Sequence, residues 1–536
     1  MVYSLPIITA IDDWGGGKSR KWDPHHSLLL MLAGLDRKEL DKEQSIHLFA
    51  ASNHANPSEL MEAFVAELSH GPLDVWDCQS QNNVIVVPYL LAVCADNPMA
   101  AELSASSGMQ ANFPCRICSW GGKFVEKATE DGVRQMIEGG SLRSPEKTVK
   151  ELGKQLRLAS TNCTEQTLRE RWTKTGVKDR STTECCTILF QLHHELSGKA
   201  TKSPHNRSQP LDPLELATRM KSERRKLKQA PWKSSLLSPD LPLAFDVHAQ
   251  TPPECLHTLT LGPLKYLAAI TGSTLNDDAR DHLLLALEDC ATEGIDCGKT
   301  FRASYHLQHL NSLVGRELKV LSQVMVASMA PLVKKELVSV DLQEAWLRAA
   351  ELSKLLWVDE IPRNELQEYT DRLGHATRAL MAAVAKIAPK SIVSRPKYHL
   401  LTHVPAAIRS FGVAANFATE RTERFVAVQR TAVAHSNRMA NSRDVAQRLL
   451  DQQLLRHLMT GGYRLNHQQA RVEQPCHSMV EIISHRKNRI FREKWGLTSM
   501  DNVIAPTLFK SQGRIHHIRS KGEENCAVGN FVYYDG

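Results

Sequence analysis

The chain has 536 residues, of which 42% are hydrophobic and 23% are charged, which supports a folded core and excludes a disordered or fibrous protein. Its length suits two or three domains, or one core interrupted by a large insertion. The 66 lysine and arginine residues exceed the 59 aspartate and glutamate residues, and the formal net charge of +7 permits a nucleic-acid partner without requiring one.

Strand-length apolar runs dominate the first fifty residues. Turn residues bound three of these runs, which predict β-strands over 3–11, 27–32 and 45–52. Together with the helix that follows them, these strands predict a mixed α/β domain.

A helix and a further strand are predicted next. Asn56 is a suitable N-cap, with Glu59 at the third helical position. An apolar residue recurs every fourth position from Leu60 to Leu68, which predicts one buried helix face. The run 84–95 predicts a buried strand, although its proline disfavours the central part. Strand, strand, strand, helix, strand is the order in the first part of an RNase H-like fold.

The sequence predicts neither a membrane span nor a disulfide framework. The longest apolar run, 84–95, is too short to cross a bilayer, and Met1 is not followed by the basic region and apolar core of a signal peptide. The 12 cysteines are irregularly spaced, unlike those of a secreted disulfide scaffold. These features predict a soluble protein of the cytosol or nucleus.

The remainder of the chain changes character twice. From about 125 to 245 the periodicity weakens and polar residues predict a linker, in which the basic run 221–234 is read as solvated surface. From 255 to 390 the apolar period is strongly helical, for example over 342–357 and 364–388. An α/β part is thus followed by an almost entirely helical part.

Acidic residues lie at the ends of two predicted strands. Asp12 and Asp13 follow the first strand, Asp96 follows the fourth, and Glu423 lies far along the chain in FATERTERF. Carboxylates at strand ends can meet at one edge of a sheet, and their hard oxygen atoms suit Mg²⁺ or Mn²⁺. Two such ions support phosphodiester chemistry, although each carboxylate alone also suits a cap or a turn.

Two pairs of metal-ligand residues stand far apart in the sequence. Cys115 and Cys118 in NFPCRICSW have the gap that lets two thiolates reach one metal, but four-coordinate zinc needs two more ligands. His399 and His403 in PKYHLLTHVP are four residues apart and would share one face of a helical turn. Either the cysteines are redox-active or structural without metal, or one zinc joins the two segments. Pro114 disfavours the helix start that a thiol oxidoreductase requires.

Four motifs occur along the chain, in the order IDDWGGGKS, CADNPMAAELSASSGMQANFPCRIC, PPECLHTLTLGPLKYL and HLLTHVPAAIRSFGVAANFATERTERF. In order and spacing they resemble the CACTA (En/Spm-like) DDE transposases, as found in mushroom-forming fungi. This resemblance covers nearly the whole chain. The motifs alone are also similar, more distantly, to the catalytic core of the vertebrate V(D)J recombinase.

The resemblance implies an α/β RNase H-like core (DDE transposase/integrase) that a large, mostly α-helical insertion interrupts. The implied segments are the first part of the core, a CxxC zinc knuckle, a polar and basic linker region, the helical insertion, the second part of the core, and a basic C-terminal region, over 1–110, 111–125, 126–245, 246–395, 396–460 and 461–536. The second part of the core would hold both the zinc histidines and the catalytic glutamate.

The resemblance also implies site residues. The catalytic carboxylates, which would bind two Mg²⁺ or Mn²⁺ ions, are Asp12, Asp96 and Glu423, with Asp13 and Glu420 as competing assignments. A structural Zn²⁺ would be held by Cys115, Cys118, His399 and His403. Weaker metal candidates in the motif ECLH are Glu254 and His257. Basic residues near the carboxylates would hold DNA phosphates, namely Lys18, Arg20, Lys21, Arg421, Arg424, Arg430 and Arg438.

The implied function is metal-dependent cleavage and strand transfer of DNA by a DDE mechanism. The partner would be double-stranded DNA, the location the nucleus, and the active form a homo-oligomer. Asp12 lies almost at the start, where family transposases carry a substantial preceding region, and the chain ends at NFVYYDG, which reads as an unfinished strand. We therefore expect either an active enzyme, as a truncated or domesticated copy, or an inactive DNA-binding or scaffolding remnant.

Overall fold

A computed structural model gives the fold of most of the chain up to residue 459. The structure describes residues 1–15, 24–77, 80, 82–161, 164–198, 210–242, 244–290, 294–295, 301–436 and 439–459, with short pieces at 464–466, 471–473, 518–519 and 525–526. Most of the predicted basic C-terminal region, 461–536, therefore lies outside the described residues.

The chain divides into two compact units. The first unit contains Met1–Leu91, Asp240–Ala244 and Arg421–Gly536, and the second contains Ala92–Pro239 and Phe245–Glu420. The first unit is therefore discontinuous in sequence, with segments on both sides of the second.

Antiparallel pairing dominates the described strands, which are β1 Val2–Gly15, β2 Pro24–Leu32, β3 His47–Ser52, β4 Leu73–Asp77, β5 Asn82–Cys94, β6 Arg464–Asn466, β7 Arg471–Glu473, β8 Ile518–Arg519 and β9 Asn525–Cys526. The first five form one sheet in the order β3-β2-β1-β5-β4. Within it, β1 and β2, β2 and β3, and β4 and β5 are antiparallel. Two further antiparallel pairs are β6 with β7 and β8 with β9.

The described α-helices are α1 Arg37–Leu40, α2 Pro57–Leu68, α3 Asn97–Leu103, α4 Phe124–Lys127, α5 Glu130–Glu138, α6 Pro145–Ala159, α7 Glu165–Thr175, α8 Arg180–Leu196, α9 Pro213–Leu227, α10 Lys265–Thr274, α11 Asp277–Glu288, α12 Ala303–Gln308, α13 Gly315–Lys334, α14 Val340–Leu356, α15 Leu366–Ile387, α16 Pro389–Ser394, α17 Lys397–Leu401, α18 Val404–Phe411, α19 Glu420–Ala434 and α20 Asn441–Met459. A π-helical segment, Leu256–Leu264, precedes α10. Among these helices none is both long enough and apolar enough to cross a membrane.

Helices cover the sheet of the first unit. Every residue of β1 from Ile7 to Ile11 is buried, as expected where both faces of a strand are covered. The Phe64 ring of α2 meets the Phe49 ring of β3 edge-on, with 5.4 Å between ring centroids. The C-terminal helix α20 also packs on β3. The strand order therefore places β1, which carries Asp12, in the interior of the sheet.

The structure confirms the predicted start of α2. Glu59 N donates to Asn56 Oδ1 at 3.1 Å, and Asn56 N donates to Glu59 Oε2 at 2.8 Å. These two bonds are the reciprocal pair of a capping box, so the side chains that the sequence offers fix where the helix begins. Leu60, Phe64 and Leu68 are buried, which confirms the predicted face.

The sequence pattern does not predict β4. Its residues, LDVWD, include two acids and only a partly buried face. Pro88 of β5 lies beyond Val86, the last residue paired with β4, so the missing N–H removes no bond of that ladder. Two strands, β4 and β5, therefore follow α2, where the sequence predicted one. The order of the strands alone does not define a fold class, so the RNase H-like fold stays a prediction.

The second unit is helical. The periodic stretches 342–357 and 364–388 form α14 and α15, which confirms both predicted helices. Trp346 of α14 is fully buried, and its Nε1 donates to Thr271 Oγ1 of α10 at 2.9 Å. Burial of such apolar and aromatic positions accounts for most of the stability of long amphipathic helices.

The predicted linker over 126–245 is corrected by the structure, which forms α5 to α9 from most of this segment. Leu156, Leu168, Leu189 and Met220 come from four different helices of this region and are buried in one apolar cluster. The periodicity is weak because each helix contributes few apolar residues, although together they close a core.

The boundaries of the two units lie at other residues than the predicted domain boundaries. The first part of the core was expected to end at 110 and the second to begin at 396, whereas the units change at Leu91 and Glu420. Residues 92–110 and 396–420 belong to the helical unit, which also contains Cys115, Cys118, His399 and His403.

Candidate metal centre

The CxxC segment forms a tight loop in which backbone amides surround both sulfur atoms. The amides of Ile117 and Cys118 donate to Cys115 Sγ at 3.4 and 3.3 Å. The amides of Trp120 and Gly140 donate to Cys118 Sγ at 3.4 and 3.3 Å. Hydrogen bonds from four amides stabilise negative charge on the sulfurs, as metal-bound thiolates require.

Two residues outside the motif hold this loop. Arg143 Nε donates to the carbonyl oxygen atoms of Cys115 and Cys118 at 2.9 and 3.1 Å. Gly140 passes so close that a Cβ at this position would lie 2.6 Å from Trp120 N. Only glycine allows this approach, and with it the fourth amide bond to sulfur.

His399 lies in α17, and His403 is the residue directly before α18. His399 Nδ1 lies 2.8 Å from the carbonyl oxygen of Met136, an acceptor, so the proton is on Nδ1 and Nε2 is free to bind a metal. The His399 ring also stacks on Trp120, with 4.4 Å between ring centroids. His399 is fully buried, and these two contacts fix its orientation.

Two sulfur and two nitrogen atoms converge at this point. Cys118 Sγ lies 3.1 Å from His399 Nε2, and Cys115 Sγ lies 3.4 Å from His403 Nε2. The two Nε2 atoms are 3.2 Å apart, and all four ligand atoms lie within 4.8 Å of one another. Ligands bound at about 2.0–2.3 Å to one tetrahedral zinc would be roughly 3.3–3.8 Å apart, so the donor set and its spacing fit that ion. The four residues form a cluster that could hold a metal such as zinc.

The cluster favours one thiolate even before a metal binds. The hydrogen bond with Cys115, followed by those with His399 and His403, lowers the pKa of Cys118. Burial raises the pKa of Cys115 well above its usual value. A bound Zn²⁺ would keep both thiols deprotonated, and its binding would then release protons.

Other cysteines of the chain are not ligands in this cluster. Cys94, Cys185 and Cys186 are buried but lie outside the cluster of described residues, and Cys163 lies outside the described residues.

The sequence matches no protein-family model, and a search of the curated proteins finds no match either. We therefore infer function from the geometry of the site.

The arginine between the two cysteines joins the loop to the segment that carries Asp96. Arg116 is only 2% exposed, and its guanidinium donates to Asn97 Oδ1 at 3.1 Å. It also donates to the carbonyl oxygen atoms of Thr251 and Pro252 at 3.1 and 3.0 Å. A buried guanidinium with three acceptors ties the metal cluster to the residue directly after Asp96.

Glu254 of the motif ECLH is a structural hydrogen-bond acceptor and is not part of the metal cluster. Glu254 Oε1 accepts from His257 N and contacts His257 Nδ1, both at 2.7 Å, while Oε2 accepts from Leu256 N at 2.8 Å. Oε2 also accepts from Thr419 Oγ1 at 3.1 Å. Glu254 is 1% exposed, so it caps the π-helical segment and anchors the chain just before α19.

Asp96 caps α3, which follows β5. Its Oδ1 accepts from Met99 N at 2.8 Å, so the residue already has a structural task. Two cations, Arg116 and Lys397, interact electrostatically with its carboxylate. Burial lowers the pKa of Lys397 to about 8, although Glu254 and Asp96 oppose this shift. The sequence does not predict that Arg116 and Lys397 interact with Asp96. Each is notable in the sequence only because it lies beside a cysteine or histidine motif.

Asp12 and Glu423 belong to the first unit. Asp12 lies in β1 opposite Ser27 of β2, one residue before the exposed Asp13. Ser27 Oγ donates to Gln429 Oε1 of α19 at 3.4 Å, so the helix that carries Glu423 packs against this strand pair. Asp96 belongs to the second unit, and the convergence of all three carboxylates stays a prediction.

The competing glutamate, Glu420, is held by an ion pair. Its two carboxylate oxygens lie 2.7 and 2.8 Å from Lys319 Nζ, which itself lies over the Trp357 ring. A carboxylate whose two oxygens both bind a lysine is a poor ligand for a divalent ion. This ion pair disfavours Glu420 as the catalytic glutamate.

Of the predicted DNA-binding residues, Arg421 is corrected by the structure. It is 3% exposed and its Nη1 donates to the carbonyl oxygen of Leu40 at 3.3 Å, so it anchors α19 rather than facing solvent. Arg424 and Arg430 are exposed, as a phosphate contact requires. The remaining candidates lie outside the described residues, namely Lys18, Arg20, Lys21 and Arg438.

Proposed function

We propose that the chain is a DDE-type transposase or a protein derived from one, which cleaves DNA phosphodiester bonds and transfers strands. Double-stranded DNA would be its partner, the nucleus its location, and a homo-oligomer its active form. The supporting observation is the cluster of Cys115, Cys118, His399 and His403. It brings together the segment that follows Asp96, which carries the cysteines, and the segment that precedes Glu423, which carries the histidines, as the four-motif order of these transposases predicts.

The cluster would hold one structural Zn²⁺. Four protein ligands leave no position for water or substrate, and closed sites of this kind stabilise folds rather than catalyse reactions. The link between Cys118 and His399 spans 281 residues of sequence. A metal that closed so long a loop would restrict the conformations of the unfolded chain and hold the residues around the cluster in place.

Asp12, Asp96 and Glu423 would hold the catalytic ions. Each side chain is partly buried, so its carboxylate is shielded yet not sealed from solvent. Carboxylate oxygens are the ligands that Mg²⁺ and Mn²⁺ prefer, and when bound these ions supply activation of water and stabilisation of the leaving oxygen. Arg424 and Arg430, both exposed on α19, would contact DNA phosphates beside Glu423.

A plasmid assay tests this proposal without knowledge of a transposon end. Supercoiled plasmid incubated with the purified protein and Mg²⁺ or Mn²⁺ should become nicked or linear, because a single phosphodiester cleavage relaxes it. Excess EDTA should prevent the reaction. Retention of supercoils under all metal conditions, by protein that binds the plasmid, would contradict the enzymatic proposal and favour an inactive DNA-binding remnant.

A further inference from the structure

A group of cations lies where α6 and α9 meet, outside the metal centre. Lys228, at the end of α9, reaches over α6, since a Cβ at Gly153 would lie 3.7 Å from its Nζ. Arg224 Nη1 donates to Ser160 Oγ, at the end of α6, at 2.8 Å. With two further cations these residues form the α6–α9 basic patch, which consists of Arg157, Arg224, Arg225 and Lys228.

No acid of the described chain neutralises the patch. Among the described residues, none of its four cations makes an ion pair, whereas the acids nearby in these helices have other partners. Glu151 of α6 binds Arg171 with both oxygens at 2.5 and 2.8 Å, and Glu223 of α9 lies 2.8 Å from Lys226. The positive charge of the patch is therefore uncompensated.

The cations are close enough to repel one another. Burial, and then Arg157 and Arg225, lower the pKa of Arg224, while burial, Arg224 and Arg157 lower that of Lys228. Lys228 Nζ also lies 4.7 Å from the centre of the Trp232 ring, which holds its ammonium group at the edge of the patch. Like charges held together in this way favour binding of a polyanion, since each phosphate relieves repulsion between cations.

We propose that the α6–α9 basic patch is a second DNA-contact surface of the helical unit, which binds the phosphate backbone of a duplex. Duplex DNA presents one negative charge about every 1.7 Å along its axis, so several cations can be satisfied at once. The choice of DNA over other polyanions rests on the proposed function.

The test compares two variants that lose three positive charges each. The patch variant carries Arg157→Gln, Arg225→Gln and Lys228→Gln, and it leaves Arg224 and its bond to Ser160 intact. The control variant carries Arg134→Gln, Arg169→Gln and Lys386→Gln, exposed cations of the helical unit that each pair with an acid outside the patch. Melting temperatures of both proteins should match that of wild type within experimental error.

Binding to a random-sequence duplex is then measured over a range of salt concentrations. The slope of log Kd against log salt should fall by about one for each phosphate that the patch variant no longer neutralises, and remain unchanged in the control. Equal slopes in both variants would overturn the inference. So would a loss of binding to anionic lipid vesicles without any loss of DNA affinity.

The outcomes separate this inference from the proposed chemistry. Wild-type protein that nicks plasmid, while the patch variant binds DNA with the wild-type slope, overturns only the patch. Wild-type protein that needs the patch for DNA binding but never nicks plasmid contradicts only the enzymatic proposal.

Discussion

Replacing His403 with alanine is expected to abolish binding of the proposed zinc ion and to destabilise the helical unit. Its Nε2 lies 3.4 Å from Cys115 Sγ, so it supplies one of four converging ligands, and three ligands bind zinc far more weakly. Structural zinc in small fingers contributes about 10–16 kcal/mol of apparent binding free energy. Even partial loss should lower the melting temperature by about 5 °C or more.

Metal analysis and a thermal scan check this expectation together. Wild type should carry one equivalent of zinc per chain, and the His403→Ala variant close to none. His375→Ala is the matched control, because His375 is an exposed histidine of α15 in the same unit and should not affect zinc content. A His403→Ala protein that keeps its zinc and its melting temperature would show that the histidine pair does not complete the site.

The Asp96→Asn substitution is expected to abolish plasmid nicking while leaving the fold and DNA binding intact. Asparagine caps a helix about as well as aspartate, so the bond from Met99 N to the residue at position 96 should persist. Only the negative charge that would hold a divalent ion is lost. Asp96→Ala also removes the helix cap, so its free energy of unfolding should be about 1 kcal/mol lower than that of Asp96→Asn.

Nicking rates, duplex affinity and melting temperature distinguish chemistry from structure. We expect the Asp96→Asn protein to nick at the rate seen without divalent metal and to bind DNA with wild-type affinity. Nicking at the wild-type rate by a folded Asp96→Asn protein would show that Asp96 has no catalytic task and only caps α3.

The parts of the fold that are predictable from sequence depend on short-range patterns. The capping box at Asn56 and the period of α15 are local, so the residues that fix them are adjacent in sequence. The metal cluster is predictable for a related reason. A CxxC pair predicts two ligands of a tetrahedral metal site, and two histidines four residues apart predict two more. The two pairs are recognisable separately, although 281 residues separate Cys118 from His399.

The parts that the sequence does not reveal depend on contacts between distant segments. Arg116 donates to two backbone carbonyl oxygens. Every residue has a backbone carbonyl, so no pattern of side chains in the sequence identifies these two as its partners. Glu254 meets Thr419 across 165 positions of sequence. Arg421 appears in the sequence as one of several charges on α19, and only packing shows that it is buried. The helices of 126–245 share a core to which each contributes too little apolar surface to be recognised alone.

Manganese binding tests the central proposal, that Asp12, Asp96 and Glu423 would together hold divalent ions. Paramagnetic resonance of Mn²⁺ titrated into the protein counts bound ions directly and requires no DNA substrate. We expect wild type to bind two ions per chain, and Asp12→Asn, Asp96→Asn and Glu423→Gln each to weaken that binding severely, because two bridged ions need all three carboxylates. Glu420→Gln, which removes the ion pair with Lys319, should leave it unchanged. Wild-type Mn²⁺ binding in any of the first three variants, or its loss in Glu420→Gln, would contradict the proposed site.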